Sequence, residues 1–458
     1  MTETRPYRFC LVNLGCPKNT VDSEGVLGAL ALAGFHFVPE PGDADICLVN
    51  TCGFLEEARE ESADILEELA EMKDSRGRPL LVALGCLVER AGKTPALDVF
   101  LKHADARVGF ADYARLPHIC LSLLDKHKDL SRAAEGFQGK ALPPSYFSFL
   151  NRPRMRIGSP ASAYLKLGEG CSNGCAYCSI PLIRGRLASR SIRDIIGEAR
   201  QLVASGAREL NLIAQDTSAY GMDRARRSQL PKLLRELGSL PDELWFRILY
   251  AHPRHLTDEI LGAMAADPRV CPYVDLPLQH IHDGMLKTMR RGYGRQQVED
   301  LLPRIRAALP GAAIRTTFIV GHPGEGRVEF QELLDFVKAG HLDHMGVFVW
   351  SPEPDTASTG MANRVPVRMA RSRRDALMRA QAEVAGQRWQ GRVGLQTEVL
   401  LERREVDGWR GRTMWQAPEV DGETIVSHIP APARISDVVP VVIEKAQAYD
   451  LWARGVPP

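Results

Sequence analysis

Three cysteines at the spacing CxxxCxxC carry the clearest chemical signal in the chain. They are Cys171, Cys175 and Cys178, in the run Gly170-Cys171-Ser172-Asn173-Gly174-Cys175-Ala176-Tyr177-Cys178. Thiolates suit soft metals and iron–sulfur clusters. Three of them hold three corners of a four-iron cluster and leave one iron open, as a catalytic zinc keeps an open position. Gly168, Gly170 and Gly174 let the loop wrap closely round such a group. Zinc is the competing occupant. A structural zinc wants a fourth Cys or His nearby, and the next histidine is His252.

Cys16, Cys52 and Cys86 are far apart in sequence, yet each follows an apolar, strand-like run, at 8–13, 46–50 and 80–84. In an open parallel sheet, ligands bind at the carboxyl ends of strands. The three thiols can therefore meet on one rim, either as a second cluster site or as separate structural thiols. Cys10, Cys47, Cys120 and Cys271 sit in apolar surroundings and read as small buried hydrophobes.

A third group lies at the ends of later strands: Gln215-Asp216-Thr217, Gln279-His280 and Gly321-His322-Pro323-Gly324-Glu325. In barrel folds the reacting groups come from this face. Acidic and amide groups there can hold the charged ends of a small ligand, and glycines can admit a flat ring. Helix caps and turns use the same residue types. His252, His255, His280, His282 and His322 read as hydrogen-bonded structural residues. The basic run at Arg184 and Arg186, with Arg190 and Arg193, is either a solvated helix start or a contact for anionic substrate or cofactor groups.

The elements that must position these residues follow from periodicity. Over 1–140, strands alternate with helical runs at 20–33 and 55–73, which implies parallel βαβ units. Residues 141–160, with Pro143, Pro144, Pro153 and Pro160, read as a linker. Over 161–389, strand runs at 162–168, 209–214, 245–251, 273–278, 313–320 and 345–350 alternate with helices. That is a partial (βα)6 barrel, short of the full eight, closed by a long helix at 366–389. From 390 to 458, short β-type runs broken by Gly, Pro and Asp read as a small all-β barrel. The expected fold class is thus α/β with an N-terminal open parallel sheet, a central partial barrel and a C-terminal β barrel.

Composition agrees with a globular protein: 45% hydrophobic and 25% charged residues over 458 positions. No apolar run is long enough to span a membrane. The segment Met1 to Arg8 lacks the apolar stretch of a signal peptide, so a cytoplasmic location is expected. The ten cysteines are then reduced, which favours metal binding or catalysis over disulfides. A net charge of +1 argues weakly against an obligate nucleic-acid binder.

With these motifs in view, the chain resembles the radical S-adenosylmethionine methylthiotransferases. Asn13-Leu14-Gly15-Cys16-Pro17-Lys18-Asn19 with Val21-Asp22-Ser23-Glu24 looks like their amino-terminal signature. Tyr164-Leu165-Lys166 through Cys178, then Ile180-Pro181 and Arg184-Gly185, looks like their radical-cluster motif. The resemblance covers essentially the whole chain, including a tail similar to the TRAM module. It implies two [4Fe-4S] clusters, one on Cys171, Cys175 and Cys178, the other on Cys16, Cys52 and Cys86, with S-adenosyl-L-methionine at the first. It further implies Tyr177 near the adenine, and Gln215, Asp216 and Glu325 near the cofactor's polar ends. Reductive cleavage of the sulfonium would release a 5′-deoxyadenosyl radical to take a substrate hydrogen, and a methylthio group would follow from the second cluster.

One branch of that family acts on transfer-RNA adenosine and the other on an aspartate of small-subunit ribosomal protein twelve. The run Gly15-Cys16-Pro17-Lys18-Asn19, the run Gln215-Asp216-Thr217 and the ending Tyr449-Asp450-Leu451-Trp452 resemble the second branch. Residues 391–458 carry eight Lys and Arg against ten Asp and Glu, a net of −2. A domain built to grip RNA phosphate should be basic, whereas an acidic one suits a basic protein loop. Transfer RNA is the less favoured partner. A departure is Ala188, where the family often has a basic residue. A reductant such as flavodoxin or ferredoxin is implied. A non-catalytic iron–sulfur protein and a zinc-stabilised RNA binder are the rivals from other classes.

Overall fold

The computed structural model describes residues 5–125, 143–429 and 432–457. The first unit is a five-stranded parallel sheet ordered β2-β1-β3-β4-β5. Its strands are β1 (Arg8–Asn13), β2 (His36–Phe37), β3 (Ile46–Thr51), β4 (Leu80–Gly85) and β5 (Ala106–Val108), and helices α1 (Pro17–Leu32), α2 (Glu56–Glu71), α3 (Cys86–Ala91) and α4 (Leu116–Leu124) flank them. All six residues of β3 are buried, as expected for a central strand covered on both faces. The short edge strands β2 and β5 escape the sequence reading because two or three residues carry no periodicity.

Residues 141–160 depart from the expected linker. The first two lie outside the described residues, but Pro144–Leu150 forms α5, with Tyr146, Phe149 and Leu150 buried. A methyl group on Gly25 of α1 would stand 2.8 Å from the Phe149 ring, and one on Gly28 would stand 2.2 Å from the Pro153 carbonyl oxygen. The glycines of α1 thus form a groove that this segment fills.

The central unit strings six parallel strands in chain order. The sheets β6 (Ser162–Lys166), β9 (Glu209–Ile213), β10 (Trp245–Ile248) and β11 (Tyr273–Asp275), β12 (Ala313–Val320), β13 (His344–Val349) are each three-stranded. A bridge from Phe246 to Val270 links them. The small hairpin β7 (Gly168–Glu169) and β8 (Ala188–Ser189) flanks α6 (Ile180–Arg184). Outside lie α7 (Ile192–Ala204), α8 (Met222–Ala225), α9 (Leu230–Leu237), α10 (Asp258–Ala265), α11 (Asp283–Thr288), α12 (Arg295–Ala308) and α13 (Arg327–Lys338). Helix α7 is typical: Ser191 caps it by accepting from the Asp194 amide, and Ile195, Ala199 and Leu202 face the core. The long α14 (Val367–Gln390) packs on β13 and α13 and leads into the closed barrel β14-β15-β16-β18-β17. Those strands are β14 (Gln396–Glu405), β15 (Gly408–Arg412), β16 (Thr424–Ser427), β17 (Val438–Gln447) and β18 (Asp450–Gly455). The last pairs parallel with β16 and antiparallel with β17, which closes the barrel.

One hydrophobic core runs through all three units, from Phe9 and Val21 through Tyr146, Tyr164 and Trp245 to Leu400. The C-terminal barrel is also fastened by charge. Glu209, the first residue of β9, is buried between Arg247 Nε (2.7 Å) and Arg412 Nη2 (2.5 Å). Burial alone would raise the Glu209 carboxyl, but Arg412 and Arg247 outweigh it and hold the pKa at about 2, against an ordinary 4.5. This depressed carboxyl contributes stability that is present above about pH 4.5 and lost as pH falls towards 2. Glu209→Gln leaves two buried guanidinium groups short of a counter-charge. It should lower stability at neutral pH by about 3–5 kcal/mol, and unfolding at a series of acid pH values should show the gap closing.

Candidate active site between two cysteine rims

The loop after β6 and β7 brings Cys171, Cys175 and Cys178 to the mouth of the central barrel. Gly170 sits at φ +72, and a methyl group there would lie 2.2 Å from the Arg186 carbonyl oxygen. The Cys171 amide donates to the Gly185 carbonyl, and the Ala176 amide to the Met289 carbonyl. Arg291 is buried and donates through Nη1 to Cys175 Sγ (3.1 Å) and to the Tyr177 hydroxyl (3.2 Å). Burial pushes the Cys171 thiol up to about 12, with Asp216 and Cys175 adding to it against the Asn173 amide. Burial raises Cys178 as well. Loading a soft metal therefore displaces protons.

The second triplet meets at the carboxyl rim of the N-terminal sheet. Cys16 occupies the N-cap of α1, Cys52 follows β3, and Cys86 follows β4. Thr51 and Gly85 pair in register, which sets Cys52 beside Cys86. A methyl group on Gly15 would stand 3.4 Å from Cys52 Sγ, and one on Gly53 would stand 2.7 Å from the Cys86 carbonyl oxygen. Asn19 stitches the rim together. Its Nδ2 donates to the Leu14 and Thr51 carbonyls, and its Oδ1 accepts from Cys86 Sγ (3.4 Å) and Arg184 Nη2 (2.7 Å). Burial pushes Cys86 up to about 12; Arg184 opposes this, while Cys52 and Cys16 add to it.

Each triplet thus offers three sulfurs, with a buried guanidinium beside one of them. A cation in that position cannot ligate a metal and would repel a bare dication. It suits the negative charge of thiolate-bound iron–sulfur and tunes its potential through hydrogen bonds to sulfur. The donor sets fit such groups.

The two rims share a seam. Arg184 donates to Glu169 Oε1 (2.7 Å) and Asp22 Oδ2 (3.0 Å), and Lys166 Nζ lies 2.6 Å from both carboxylates. The Tyr146 hydroxyl is within 2.6 Å of Asp22 and 2.8 Å of Glu169. Lys18, two residues after Cys16, reaches across to the barrel, with its Nζ 2.9 Å from the centre of the Tyr250 ring. Burial lowers Lys18 to about 8, against the opposing charges of Cys16 and Asp275.

The other expected site residues divide. Gln215 Nε2 donates to Glu169 (2.9 Å), and its Oε1 is buried without a partner. Asp216 shares a cavity of about 280 Å³ with Cys171, Asn173, Arg254 and His255. Its oxygens accept from Asn173, Ser218 and the Ala219 amide and face His255 Nδ1 at 2.7 Å. Asp216, His252 and His255 bring three ligand-type atoms within 4.8 Å of one another, but those donors already occupy the carboxylate. Tyr177 is joined to the Gly321 loop by His322, ring centres 6.5 Å apart. Gly321 itself packs against Ala370 of α14, and buried Glu325 accepts from the Gly321 amide and pairs with Arg373 at 3.2 Å. Arg184, expected to meet a cofactor's anionic groups, spends its guanidinium on Asp22, Glu169 and Asn19. Asp22 and Glu169 lie inside the two signature runs, but their pairing is not legible there, and Arg291 and Tyr250 fall outside every motif the sequence singles out. Arg291 lies more than a hundred residues from the thiol it serves, so no local spacing reveals it. Tyr250 and Gln279 leave a trace only in the backbone, at φ +63 and +72.

Comparison with known proteins agrees with this layout. Residues 8–105 match the model described as Uncharacterized protein family UPF0004, 165–337 the Radical SAM superfamily, and 393–456 the TRAM domain. A protein of Syntrophotalea carbinolica named ribosomal protein uS12 methylthiotransferase RimO is 40% identical, over 97% of this chain and 96% of its own length. Its namesake in Geobacter sulfurreducens is 37% identical, over 97% of each chain. Among solved structures, the radical S-adenosylmethionine methyltransferase TsrM from Kitasatospora setae superposes with a TM-score of 0.55 at 16% identity, covering 75% of this chain and 73% of that one. That likeness concerns the fold alone.

Two glycines of the barrel loop separate strain from crowding. Gly174 also has a positive φ, +68, but nothing lies within 4 Å of a methyl group there. Gly174→Ala should cost about 1–2 kcal/mol of backbone strain. Gly170→Ala should cost clearly more and should also reduce metal retention, as read by thermal unfolding and metal analysis of the two variants.

Proposed function

The chain belongs to the family of ribosomal protein uS12 methylthiotransferases, and we propose that it adds a methylthio group to the β-carbon of an aspartate in that ribosomal protein. The observation that carries this reading is the pair of three-thiol rims, from separate parallel sheets, joined across one buried seam. We assign a [4Fe-4S] cluster to Cys171, Cys175 and Cys178, with S-adenosyl-L-methionine beside it near Tyr177, Gln215 and Asp216. A second [4Fe-4S] cluster is assigned to Cys16, Cys52 and Cys86. Once bound, these groups supply one-electron cleavage of a sulfonium and a sulfur atom for transfer.

The protein's own residues do the rest. Arg291 donates to Cys175 Sγ and stabilises added negative charge there, which favours the reduced state. Arg184 acts in the same sense beside Cys86. Asn19 holds the ends of β1 and β3 and the Cys86 thiol in one arrangement. Gln215 Oε1, buried and unpartnered, is an acceptor for a cofactor ammonium. The continuous apolar core around the seam keeps water from a reactive intermediate.

The choice of a protein substrate rests on the relatives' names and on the net charge of −2 over residues 391–458, which disfavours RNA phosphate. We place the enzyme in the cytoplasm, where its ribosomal substrate is made, and give it a flavodoxin or ferredoxin as reductant. Among the described residues no helix is long and apolar enough to cross a membrane.

Mass spectrometry of the ribosomal protein and of bulk RNA from a deletion strain tests the substrate. Loss of the methylthio group from the protein alone is expected, and loss from RNA alone overturns the reading. Anaerobic iron and sulfide analysis tests the clusters. We expect about eight irons per chain for two four-iron clusters, falling to about four in Cys16→Ala and likewise in Cys171→Ala.

A further inference from the structure

Resting on the reading that an aspartate is the substrate, we propose that Lys18 receives the substrate's side-chain carboxylate. Lys18 lies in the first turn of α1, two residues from Cys16, so its backbone moves with the N-terminal rim. Its side chain crosses the seam to the ring of Tyr250 in the central barrel. It is 7% exposed, and among the described residues it forms no hydrogen bond or ion pair.

Buried Arg291 also lacks a carboxylate but is hydrogen-bonded to Cys175 Sγ, the Tyr177 hydroxyl and the Pro277 carbonyl, whereas other buried cations meet acids. Lys166 and Arg184 lie against Asp22 and Glu169, Arg247 and Arg412 against Glu209, and Arg90 against Glu353. An ammonium cut off from water without a counter-charge is costly, and an aromatic face returns only part of the loss. Among the described residues no carboxylate comes within ion-pair distance of the ammonium, and the nearest acids have partners of their own. Asp275 accepts the Tyr250 amide through one oxygen (2.9 Å) and faces Arg315 with the other (3.9 Å). Glu169 is paired with Lys166 and Arg184. The Cys16 thiolate and Asp275 are the nearest opposing charges but neither touches the ammonium, so Lys18 keeps donors free for a further anion that enters the seam.

The backbone around the ammonium points the same way. Tyr250 is held at φ +63 and Gln279, at the end of the next strand, at φ +72. Non-glycine residues seldom adopt such values, and they concentrate where a side chain must be presented for function. Tyr250 caps one side of the ammonium and leaves its remaining donors to a ligand.

The chemistry of the substrate fits the vacancy. In an aspartate the carboxyl carbon is bonded directly to the β-carbon. An ammonium that grips the carboxylate therefore fixes the reacting carbon one bond away, beside the Cys16 rim. Asparagine has the same shape but no charge and would leave Lys18 unpaired, so the contact also selects the residue to be modified.

The test uses a fluorescent peptide copying the target loop of the ribosomal protein, bound anaerobically to the iron-loaded enzyme and followed by anisotropy. An Asp→Asn change in the peptide should weaken binding to the wild-type enzyme by about tenfold or more, the scale of a desolvated charge pair. Lys18→Met should weaken binding of the aspartate peptide by a similar factor, and should bind the aspartate and asparagine peptides equally. Lys18→Arg should restore the preference for aspartate. Iron content equal to wild type in both variants confirms that the Cys16 rim is intact. If Lys18→Met keeps the wild-type preference for aspartate, the proposal is overturned. Should Lys18→Met fail to fold, the two peptides on wild type and Lys18→Arg decide: no preference for aspartate in either refutes it. Failure of the functional reading looks different, because the wild-type enzyme would then leave the aspartate peptide unmodified, and both inferences fall together.

Discussion

Four buried charges hold the two halves of the site in register. Asp22 from the N-terminal unit and Glu169 from the central one face Lys166 and Arg184, all four side chains essentially without solvent exposure. Two negative and two positive charges cancel, so the cluster is neutral as a whole. Every pair of opposite charge that touches also shares hydrogen bonds, which is what makes burial tolerable. Burial alone would raise the Glu169 carboxyl, but Arg184 and Lys166 hold it well below the usual carboxylate range. Removing any one member would strand a charge in an apolar interior. The interface therefore admits one arrangement of the units, and with it one relation between the two cysteine rims.

The rims inherit their geometry from this lock. Arg184 belongs to the quartet and also borders Cys86 and Asn19, so the same guanidinium fixes the domains and biases one sulfur. Asn19 transmits the constraint to the ends of β1 and β3. Helix α5 closes the quartet from a third direction through the Tyr146 hydroxyl. Beside this paired quartet the ammonium of Lys18, against the Tyr250 ring, forms no ion pair among the described residues.

The C-terminal barrel follows the same logic at the opposite ends of the strands. Glu209 collects Arg247 and Arg412, and Asp421 collects Arg315, the Tyr273 hydroxyl and His344. Some of the barrel's acidic excess is therefore spent on attachment, as is Arg412 among its basic residues. Its exposed charges among the described residues balance: Glu398, Glu405, Asp407, Glu419 and Glu444 against Arg403, Arg404, Arg434, Lys445 and Arg454.

Much of this was legible in advance because parallel βα folds write themselves locally. Apolar runs fixed by burial on both faces marked β1, β3 and β4 to within a residue, and helical patterns marked α1, α2 and α14 to within three residues. One cysteine triplet stood out by its spacing; the rule that strand ends share a rim brought the other together but left a cluster and separate structural thiols both open. What the residues alone could not reveal were contacts between positions far apart in sequence. Arg184 read as a cofactor contact and proved to be an interdomain bolt. Residues 141–160 read as a spacer because prolines interrupt their period, yet Phe149 of α5 packs on Gly25 and Pro153 beyond it packs on Gly28. Residue type and order determined most elements, the candidate sulfur groups and the class of chemistry, since those depend on local periodicity and on the affinity of thiolates for soft metals. Only the tertiary structure decided which charges neutralise one another, because pairing is set by distance in space and by the removal of water.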